Sequence, residues 1–324
     1  MTNFQRRTLL AATLACAACA SGLAQAQDYP SKPITFIVPF PAGSGTDQQA
    51  RVLGLAVSRE FKVPVVVDNK AGASGFLAAQ HVAKAAPDGY TVLITTNTTH
   101  AANEHLYKKI PYDPVKDFTP VTLLSKGHML LLVKPGFAAS SAADLIALAK
   151  KSPGKLNFGS GSSSSRVASE LLRQMTGIDV VHVPYKSNPM ALTDLIGGQI
   201  DFMFADAPTA LPQVQAGKVR ALAASGTTRL AAAPAVPTVD ESAVKGYDMS
   251  YWTAAYLPAG ASAAVTSRLN EMLVKVSSMP EVETYRAATS QVLATSSSEG
   301  LARFQAAESQ KWARIIHAAG IQPE

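Results

Sequence analysis

The segment from Ile34 to Asp47 predicts a strand, a tight turn and a helix start in immediate succession. It reads ITFIVPFPAGSGTD, so a run rich in β-branched and aromatic residues is followed by proline, glycine and serine and then by Thr46-Asp47, which favour a helix start. The unpaired amides at a helix start and the positive end of its dipole both favour an anion, and the glycines allow a ligand to approach the backbone. This segment therefore predicts a βα unit that binds a carboxylate or a phosphate.

The N-terminal segment has the layout of an export signal. Arg6-Arg7 is followed by an apolar stretch, Leu9–Leu23, and by the A-x-A motif Ala24-Gln25-Ala26. We therefore predict that residues 1–26 are a signal peptide, that cleavage follows Ala26, and that the mature chain of 298 residues is periplasmic. No later segment is uncharged and apolar over the roughly 20 residues that a membrane span needs. The sequence leaves open whether export uses the general or the twin-arginine route.

The cysteine and charge content exclude several classes of protein. Both cysteines, Cys16 and Cys19, fall in the predicted signal, so the mature chain has no disulfide and no thiolate metal site; lipid attachment to one of them is a minor alternative. Without Arg6 and Arg7, 27 basic and 23 acidic residues give a net charge of +4. Because the basic residues form no dense run with interleaved aromatics, we predict no nucleic-acid partner, whereas an anionic small ligand is compatible with this charge.

Strand-like and helical segments alternate along the rest of the chain, which is typical of an α/β fold with mainly parallel sheets. The predicted strands are Ile34–Phe40, Val63–Asp68, Tyr90–Thr95, Val121–Leu124, Met129–Lys134, Leu156–Gly159, Val180–Pro184, Gln199–Phe204 and Val219–Ala224. The predicted helices between them include Gln48–Phe61, Gly75–Ala85, Ala142–Lys151, Val167–Met175 and Ala191–Gly197. After Ala263 the pattern is helical almost throughout and ends in Leu301–Ala319.

A second segment repeats the order of strand, small polar turn and helix. Leu156-Asn157-Phe158-Gly159-Ser160-Gly161 leads through Ser162–Ser165 into an amphipathic helix. In open α/β sheets, ligands bind outside the carboxyl ends of the strands, where such turns lie. We therefore predict two lobes that face each other across a cleft, with one helix start from each lobe on the same ligand.

Ordered blocks of sequence resemble the solute receptors of tripartite tricarboxylate transporters, the Bug proteins. The blocks are YPSKPITFIVPFPAGSGTDQQAR (Tyr29–Arg51), VVVDNKAGASG (Val65–Gly75), APDGYTVL (Ala86–Leu93), PYDPVKDFTPVTLL (Pro111–Leu124), VVHVPYK (Val180–Lys186), LTDLIGGQIDFMF (Leu192–Phe204), GKVRALAAS (Gly217–Ser225) and VPTVDE (Val236–Glu241). They cover nearly the whole mature chain in matching order, which is far more specific than any single glycine motif.

The resemblance implies a two-lobed α/β binding protein of the periplasmic, class II-like type, whose hinged lobes close on a ligand in the cleft. It assigns residues 27–124 and 247–324 to a discontinuous first lobe and residues 125–246 to the second lobe. It further implies a monomer that captures a small mono- or dicarboxylate, aromatic acids included. The ligand is delivered to the membrane permease subunits of a tripartite tricarboxylate transporter, and binding needs neither a metal nor an organic cofactor.

The predicted site in the first lobe is the turn after the first strand together with a second polar segment. Backbone amides and the hydroxyls of Ser44 or Thr46 are the expected donors, whereas Asp47 would repel an anion and is predicted to cap the helix. Asn97-Thr98-Thr99-His100 follows the strand Tyr90–Thr95 and is expected at the same edge of the sheet. The predicted site residues here are Phe40, Ala42, Gly43, Ser44, Gly45, Thr46, Asn97 and Thr98.

The predicted site in the second lobe is the serine cluster before the second helix. Many members of the family carry a longer glycine-rich turn leading to a histidine, whereas this chain has serines and Arg166. Arg166 either forks onto a ligand carboxylate or is a surface arginine, and Asp206 either contacts ligand or water or caps the next helix. Tyr185 and Trp252 are candidate aromatic walls. The predicted site residues here are Ser160, Ser163, Ser164, Ser165, Arg166, Tyr185, Ala205 and Asp206.

No catalytic motif accompanies these turns. The sequence has no G-x-S-x-G elbow, no H-E-x-x-H and no P-loop, and Gln48 stands where a dinucleotide motif beginning at Gly43 needs its third glycine. His100 and His105 are five residues apart and so do not share a helix face for a metal. We therefore predict a binding protein and not an enzyme. An alternative with the same cleft is an exported sensor that presents its bound carboxylate to a membrane signalling partner.

Overall fold

Strand β1 (Ile34–Val38) leads into helix α1 (Gly45–Phe61) in the computed structural model, which describes residues 29–324. The predicted signal peptide, its cleavage site and both cysteines lie outside the described residues. Residues 32–324 form one compact unit. The boundaries of the two lobes stay a prediction.

Strands and helices alternate as the sequence predicts, and the α/β class is confirmed. The strands are β1, β2 (Val65–Asn69), β3 (Thr91–Thr96), β4 (Phe118–Val133), β5 (Asn157–Ser160), β6 (Val181–Pro184), β7 (Phe202–Asp206), β8 (Arg220–Ala224), β9 (Ser250–Pro258) and β10 (Val292–Leu293). The α-helices are α1, α2 (Phe76–Ala83), α3 (Asn103–Leu106), α4 (Ala142–Lys151), α5 (Ser163–Thr176), α6 (Asn188–Gly197), α7 (Ala207–Gln215), α8 (Val239–Ser242), α9 (Ala263–Ser277), α10 (Pro280–Ala288) and α11 (Ser298–Ala318). A π-helical turn, Thr98–Ala102, joins β3 to α3.

The strands form one mixed sheet in the order β2-β1-β3-β9-β4-β7-β5-β6, and β8 and β10 also pair with β4. β1 pairs in parallel with β2 and β3, and β5 pairs in parallel with β6 and β7. These two parallel groups correspond to the repeated order of strand, turn and helix in the sequence. The antiparallel strands β9 and β4 connect them, so the carboxyl ends of both groups lie beside the same pair of strands.

Three features of the sheet differ from the sequence-based prediction. Outside the two parallel groups the pairings between the strands β1 to β10 are antiparallel, so the prediction of mainly parallel sheets was wrong. The segments Val121–Leu124 and Met129–Lys134 belong to the single strand β4, because the polar residues between them keep their backbone pairing with β9. Strand β9 itself was missed, and the short β10 interrupts the helical C-terminal pattern.

Three helices begin earlier than predicted, each directly after a serine, and the side chains of Ser44 and Ser162 cap two of them. Ser44, Ser162 and Ser187 occupy the cap positions of α1, α5 and α6, each with an extended backbone conformation. The prediction placed these starts three to four residues later, at the first strongly apolar periodicity. The polar turns predicted to bind the ligand are therefore themselves the first residues of the helices.

Strand β4 separates two apolar cores by the alternation of its side chains. Met129, Leu131 and Val133 pack into one core, whereas Leu130 and Leu132 pack into the other. Because successive side chains of a strand point to opposite faces, a strand covered on both faces reads as a continuous apolar run. The run MLLLV therefore marks the place where helices cover both sides of the sheet.

His100 lies in the π-helical turn and is fully buried beside Tyr256 and Phe118. Its ring stacks on Tyr256 with 3.9 Å between ring centroids, and its Nε2 has no hydrogen-bond partner among the described residues. Thr99 Oγ1 lies 2.8 Å from Nδ1. Burial disfavours the charged imidazolium and lowers the pKa of His100 to about 3.

The buried imidazole predicts that the protein loses stability in acid. The folded-state pKa lies below the ordinary value of about 6.5, so this contribution is complete above pH 6.5 and disappears as the pH falls toward 3. At pH 4.5 the loss from His100 is about 2–3 kcal/mol in the free energy of unfolding. Burial also lowers the pKa of His182, which adds in the same direction.

Denaturant unfolding at pH 7 and pH 4.5 measures this loss. His100→Phe keeps an aromatic ring against Tyr256 and is expected to reduce the acid-induced loss by about 2–3 kcal/mol. His81→Phe, at an exposed position of α2, is the matched control and should keep the wild-type difference. An unchanged difference in His100→Phe would show that other groups cause the acid sensitivity.

Candidate functional site

The N-terminus of helix α1 is capped by hydrogen bonds among its own first residues and the turn before it. Ser44 Oγ accepts a hydrogen bond from Asp47 N at 3.3 Å, and Asp47 Oδ2 accepts one from Gly43 N at 2.8 Å. Ser44 and not Asp47 is thus the cap residue, which corrects the prediction for Asp47. Burial by itself would raise the pKa of the Asp47 carboxyl, but hydrogen bonds from Arg51, Gly43 and Asn69 lower it below its usual value. The charge of Asp47 is therefore compensated locally, and the Gly43 amide is already occupied.

The next two amides of α1 remain available. Among the described residues, neither Gly45 N nor Thr46 N has a protein acceptor. These are the first two positions of the helix, where no intrahelical acceptor exists. The start of α1 therefore presents two donors at the positive end of the helix dipole.

Helix α5 repeats this arrangement with serine side chains. Ser162 Oγ accepts from Ser165 N at 3.2 Å, and Ser165 Oγ accepts from Ser162 N at 3.3 Å, which completes a reciprocal cap. In residues 29–324, the amides of Ser163 and Ser164 have no protein acceptor. Ser165 thus supports the helix start from a buried position, and the two amides before it are free.

A single cavity brings the two helix starts together. All the space between atoms in this cavity, including open solvent at its mouth, amounts to about 510 Å³. Seven predicted site residues line it: Phe40, Ser44, Gly45, Thr46, Thr98, Ser164 and Asp206. The other lining residues are Thr96, Met129, Gly161, Ser162, Ser187, Asn188, Pro208, Tyr251, Thr253 and Gln291. We call it the first cavity.

Two hydroxyls that line the first cavity have no partner. Thr98 is 0% exposed and Ser187 is 2% exposed, yet neither Oγ atom makes a hydrogen bond within the described part of the chain. Leaving a buried hydroxyl unpaired costs roughly 1–3 kcal/mol. Such groups are expected where a ligand supplies the missing partner.

Asp206 is the one charged side chain among the residues that line the first cavity. It precedes α7 without capping it; instead, Asp206 Oδ1 accepts from Asn188 Nδ2 at 2.6 Å and Oδ2 accepts from Thr209 Oγ1 at 2.8 Å. A Cβ atom at Gly45 would collide with Oδ2 of Asp206 and lie 3.2 Å from Pro208 Cβ. The start of α1 therefore packs directly on the start of α7, and a side chain at Gly45 has no room.

Three predicted site residues support the cavity from behind its wall. Asn97 is buried; its Nδ2 donates to Ser164 Oγ at 2.8 Å, and its Oδ1 accepts from Trp252 N at 3.3 Å. Ser165 completes the cap of α5, and Ala205 lies in the apolar core. Trp252 is likewise buried and donates through Nε1 to Glu308, so it belongs to the core and does not wall the cavity.

The remaining predicted residues lie elsewhere. Ala42 and Gly43 are exposed on the turn before α1. Ser160, Ser163, Arg166 and Tyr185 line a neighbouring cavity, which we call the second cavity. Tyr185 OH donates to Asp194 Oδ2 at 2.8 Å.

Sequence reasoning missed residues that reach the first cavity from unpredicted elements. Ser187 directly precedes α6 and Asn188 begins it; a serine followed by Pro189 in the first turn was an available signal of this helix start. Tyr251 and Thr253 lie on β9, which was not predicted, and Gln291 directly precedes β10. Local patterns therefore located the two helix starts but not the strands between them.

The described residues were also searched for clusters of metal-ligating side chains and for membrane-spanning helices. Residues 29–324 contain no cluster of three or more His, Cys, Asp or Glu side chains that could hold a metal ion. Within the same residues, no helix combines the length and apolarity of a membrane span.

Solved structures of binding proteins have the same fold. The chain is similar to Rpa4515 from R. palustris with adipate, with a TM-score of 0.89 and 32% identity, covering 92% of this chain and 100% of that chain. It is also similar to MatC (Rpa3494) from Rhodopseudomonas palustris with bound malate, with a TM-score of 0.84 and 29% identity, covering 89% of this chain and 100% of that chain. The fold is thus that of the periplasmic solute-binding proteins.

Sequence comparison identifies the family within that class. Residues 49–321 match the family described as tripartite tricarboxylate transporter family receptor. Protein BugT of Bordetella pertussis is 33% identical over 303 residues, which cover 92% of both chains. The chain belongs to this receptor family, as the resemblance of its sequence blocks predicted. The family is one of solute-binding receptors and not of enzymes.

Proposed function

We propose that this protein is a periplasmic receptor that binds a small carboxylate in the first cavity for uptake by a tripartite tricarboxylate transporter. The observation that carries the proposal is the pair of buried hydroxyls of Thr98 and Ser187, two residues that line the first cavity and whose hydroxyls have no partner among the described residues. A ligand with strong hydrogen-bond acceptors removes both deficits at once.

The free amides favour an anionic acceptor over a neutral one. Gly45, Thr46 and Ser164 line the first cavity, and the backbone N–H of each is free. An N–H group can only donate a hydrogen bond. Two helix starts add the positive ends of two dipoles, each worth typically 0.3–1 kcal/mol for a nearby negative charge. A carboxylate accepts at two oxygens and so matches donors from both sides. The adipate of Rpa4515 and the malate of MatC are ligands of this chemical class.

Asp206 limits where a second negative charge of the ligand can lie. Its carboxylate lines the first cavity and has no basic neighbour among the other lining residues. A second ligand carboxylate beside it would meet a like charge in a partly buried site. The part of the ligand next to Asp206 is therefore uncharged or donates a hydrogen bond.

Two lobes that close around the ligand fit the described sheet. We propose a hinge where β4 and β9 run between the parallel groups, because their pairing shifts register between Pro120 and Thr122 and again between Leu123 and Ser125. Residues 27–124 with 247–324, and residues 125–246, are then the two lobes of a monomer. Export through the predicted signal peptide and delivery to permease subunits complete the proposal.

A thermal-shift panel on the purified protein tests carboxylate binding. A ligand at 100 times its dissociation constant should add about 2.7 kcal/mol of stability, which corresponds to a rise of roughly 5 °C in melting temperature for a chain of this size. Mono- and dicarboxylates are compared with the corresponding amides, which keep the shape and lack the charge. The receptor proposal fails if no carboxylate raises the melting temperature or if amides do so equally.

The sensor alternative uses the same cavity and differs in its partner. Deleting the gene for this chain abolishes uptake of the ligand if the protein is a transport receptor. Intact uptake together with a lost transcriptional response to the ligand would instead favour the sensor.

A further inference from the structure

Two hydroxyls that line the first cavity accept a hydrogen bond from the backbone. Ser44 Oγ accepts from Asp47 N at 3.3 Å, and Thr96 Oγ1 accepts from Thr98 N at 3.2 Å. A backbone N–H can only donate, and a hydroxyl has one proton to give. Each of these two hydroxyls therefore keeps its own proton for another acceptor.

Asn97 sets the direction of the Ser164 hydroxyl in the same way. Trp252 N donates to Asn97 Oδ1 at 3.3 Å, so this oxygen is the accepting end of the amide, and Asn97 Nδ2 donates to Ser164 Oγ at 2.8 Å. Asn97 is fully buried, so bulk solvent does not compete with these contacts. Ser164 lines the first cavity, and its Oγ makes no other hydrogen bond among residues 29–324. The Ser164 proton is therefore available to a ligand.

A longer chain of buried hydrogen bonds runs from Gln49 to Thr253. Gln49 Nε2 donates to Ser125 Oγ at 3.0 Å, and Ser125 Oγ lies 2.8 Å from Thr253 Oγ1. Gln49 Oε1 lies farther from Ser125 Oγ, at 3.4 Å, so Thr253 is the better acceptor for the Ser125 proton. Thr253 lines the first cavity, and within the described part of the chain its Oγ1 has no further partner. Thr253 thus accepts from Ser125 and keeps its own proton for the cavity.

From these contacts we propose that Asn97 and Gln49 are positioning residues, which fix the hydroxyls of Ser164 and Thr253 as hydrogen-bond donors toward the first cavity. The inference rests on the proposed binding of a carboxylate there. Both oxygens of a carboxylate only accept, whereas the NH₂ group of a carboxamide only donates and would face the protons of these hydroxyls. The two side-chain amides therefore select a carboxylate over a carboxamide of the same shape, although neither of them lines the cavity.

A double-mutant cycle between Asn97 and Ser164 tests the first of these contacts. Asn97→Asp keeps the shape of the side chain but replaces the donor by an acceptor, so the Ser164 proton turns to position 97 and an oxygen lone pair faces the ligand. Donation from Trp252 N favours the charged carboxylate at that position. Calorimetry at pH 8 with the best carboxylate of the thermal-shift panel measures affinity. The fold loss caused by Asn97→Asp should be at least about tenfold larger in the presence of Ser164 than in Ser164→Ala.

The Ser164→Ala background separates the direction of the hydrogen bond from the effect of charge. A new negative charge at position 97 weakens anion binding by the same factor in both backgrounds, whereas the direction of the hydroxyl matters only when Ser164 is present. Gln49→Glu with Thr253→Val forms an independent second cycle, because an ionised glutamate draws the protons of Ser125 and then of Thr253 away from the cavity. The fold loss caused by Gln49→Glu should likewise be at least about tenfold larger when Thr253 is present.

Gln305→Glu is the matched control, because Gln305 is also a buried side-chain amide, is hydrogen-bonded to Tyr256 OH and Pro114 O, and lines neither cavity. It should lose stability and keep its carboxylate affinity. Equal fold losses with and without the hydroxyl, in either folded cycle, overturn the inference and leave the receptor proposal intact. If circular dichroism shows that a variant of one cycle is unfolded, the other cycle decides. Absence of carboxylate binding by the wild-type protein overturns the receptor proposal and this inference with it.

Discussion

Replacing Gly45 with valine is expected to lower carboxylate affinity at least about 100-fold, equivalent to roughly 2.7 kcal/mol. The Cβ atom alone would collide with the Asp206 carboxylate and press on Pro208 Cβ at 3.2 Å, and the valine methyls would fill space at the start of α1. The substitution therefore blocks two free amides and separates the starts of α1 and α7. Calorimetry with the best carboxylate of the thermal-shift panel measures the loss.

Gly197→Val is the matched control for Gly45→Val. Gly197 also lies in a helix, and a Cβ atom there would meet no other atom within 4 Å. Its affinity should equal that of the wild-type protein. Circular dichroism must show both variants folded. Wild-type affinity in folded Gly45→Val would mean that the ligand does not use this turn.

The double variant Thr98→Val, Ser187→Ala is expected to separate binding from stability. Each hydroxyl that donates to a carboxylate contributes roughly 1.5–3 kcal/mol, so the double variant should lose at least about 100-fold in affinity. The unliganded protein should be as stable as the wild type or more stable, since both hydroxyls are buried without partners. Calorimetry and denaturant unfolding measure the two effects.

Thr122→Val, Ser225→Ala is the control for that double variant and should show the opposite pattern. Thr122 Oγ1 donates to Leu123 O and Ser296 O, and Ser225 Oγ donates to Met249 O, so both hydroxyls are buried and satisfied. Neither lines the first cavity. This variant should lose stability and keep its affinity. If the Thr98, Ser187 variant instead loses stability and keeps its affinity, these hydroxyls are structural.

The two helix starts were predictable because their signals are local. In each case a strand-like run is followed within a few residues by small polar residues and then by helical periodicity, and both features reflect nearest-neighbour backbone preferences. The family resemblance added the class of protein, which no local pattern contains. Asp47 shows the limit of the local argument, since an acid near a helix start can either cap it or support the capping serine.

Strands β4 and β9 were harder to predict because tertiary pairing determines them. Ser125-Lys126-Gly127-His128 interrupts the apolar pattern of β4, yet the backbone ladder continues opposite Thr253, Trp252, Tyr251 and Ser250. Such a ladder requires a neighbouring strand and not an apolar side chain. The site residues on β9 were missed for the same reason, and the ion pair of Arg166 with Glu324 joins residues far apart in sequence.

The position of β9 also determines when the sheet can be completed. β3 and β4 follow each other in sequence but are neighbours of β9 in space, and β9 is synthesised only after β5 to β8. Long-range pairing of this kind slows folding, because the closure of a long loop precedes the contacts that stabilise it. A nascent chain that lacks residues 250–258 has no central strand to join its first parallel group to the rest. For a protein that we propose is exported, the sheet therefore stays incomplete until residues 250–258, in the last quarter of the chain, have been synthesised.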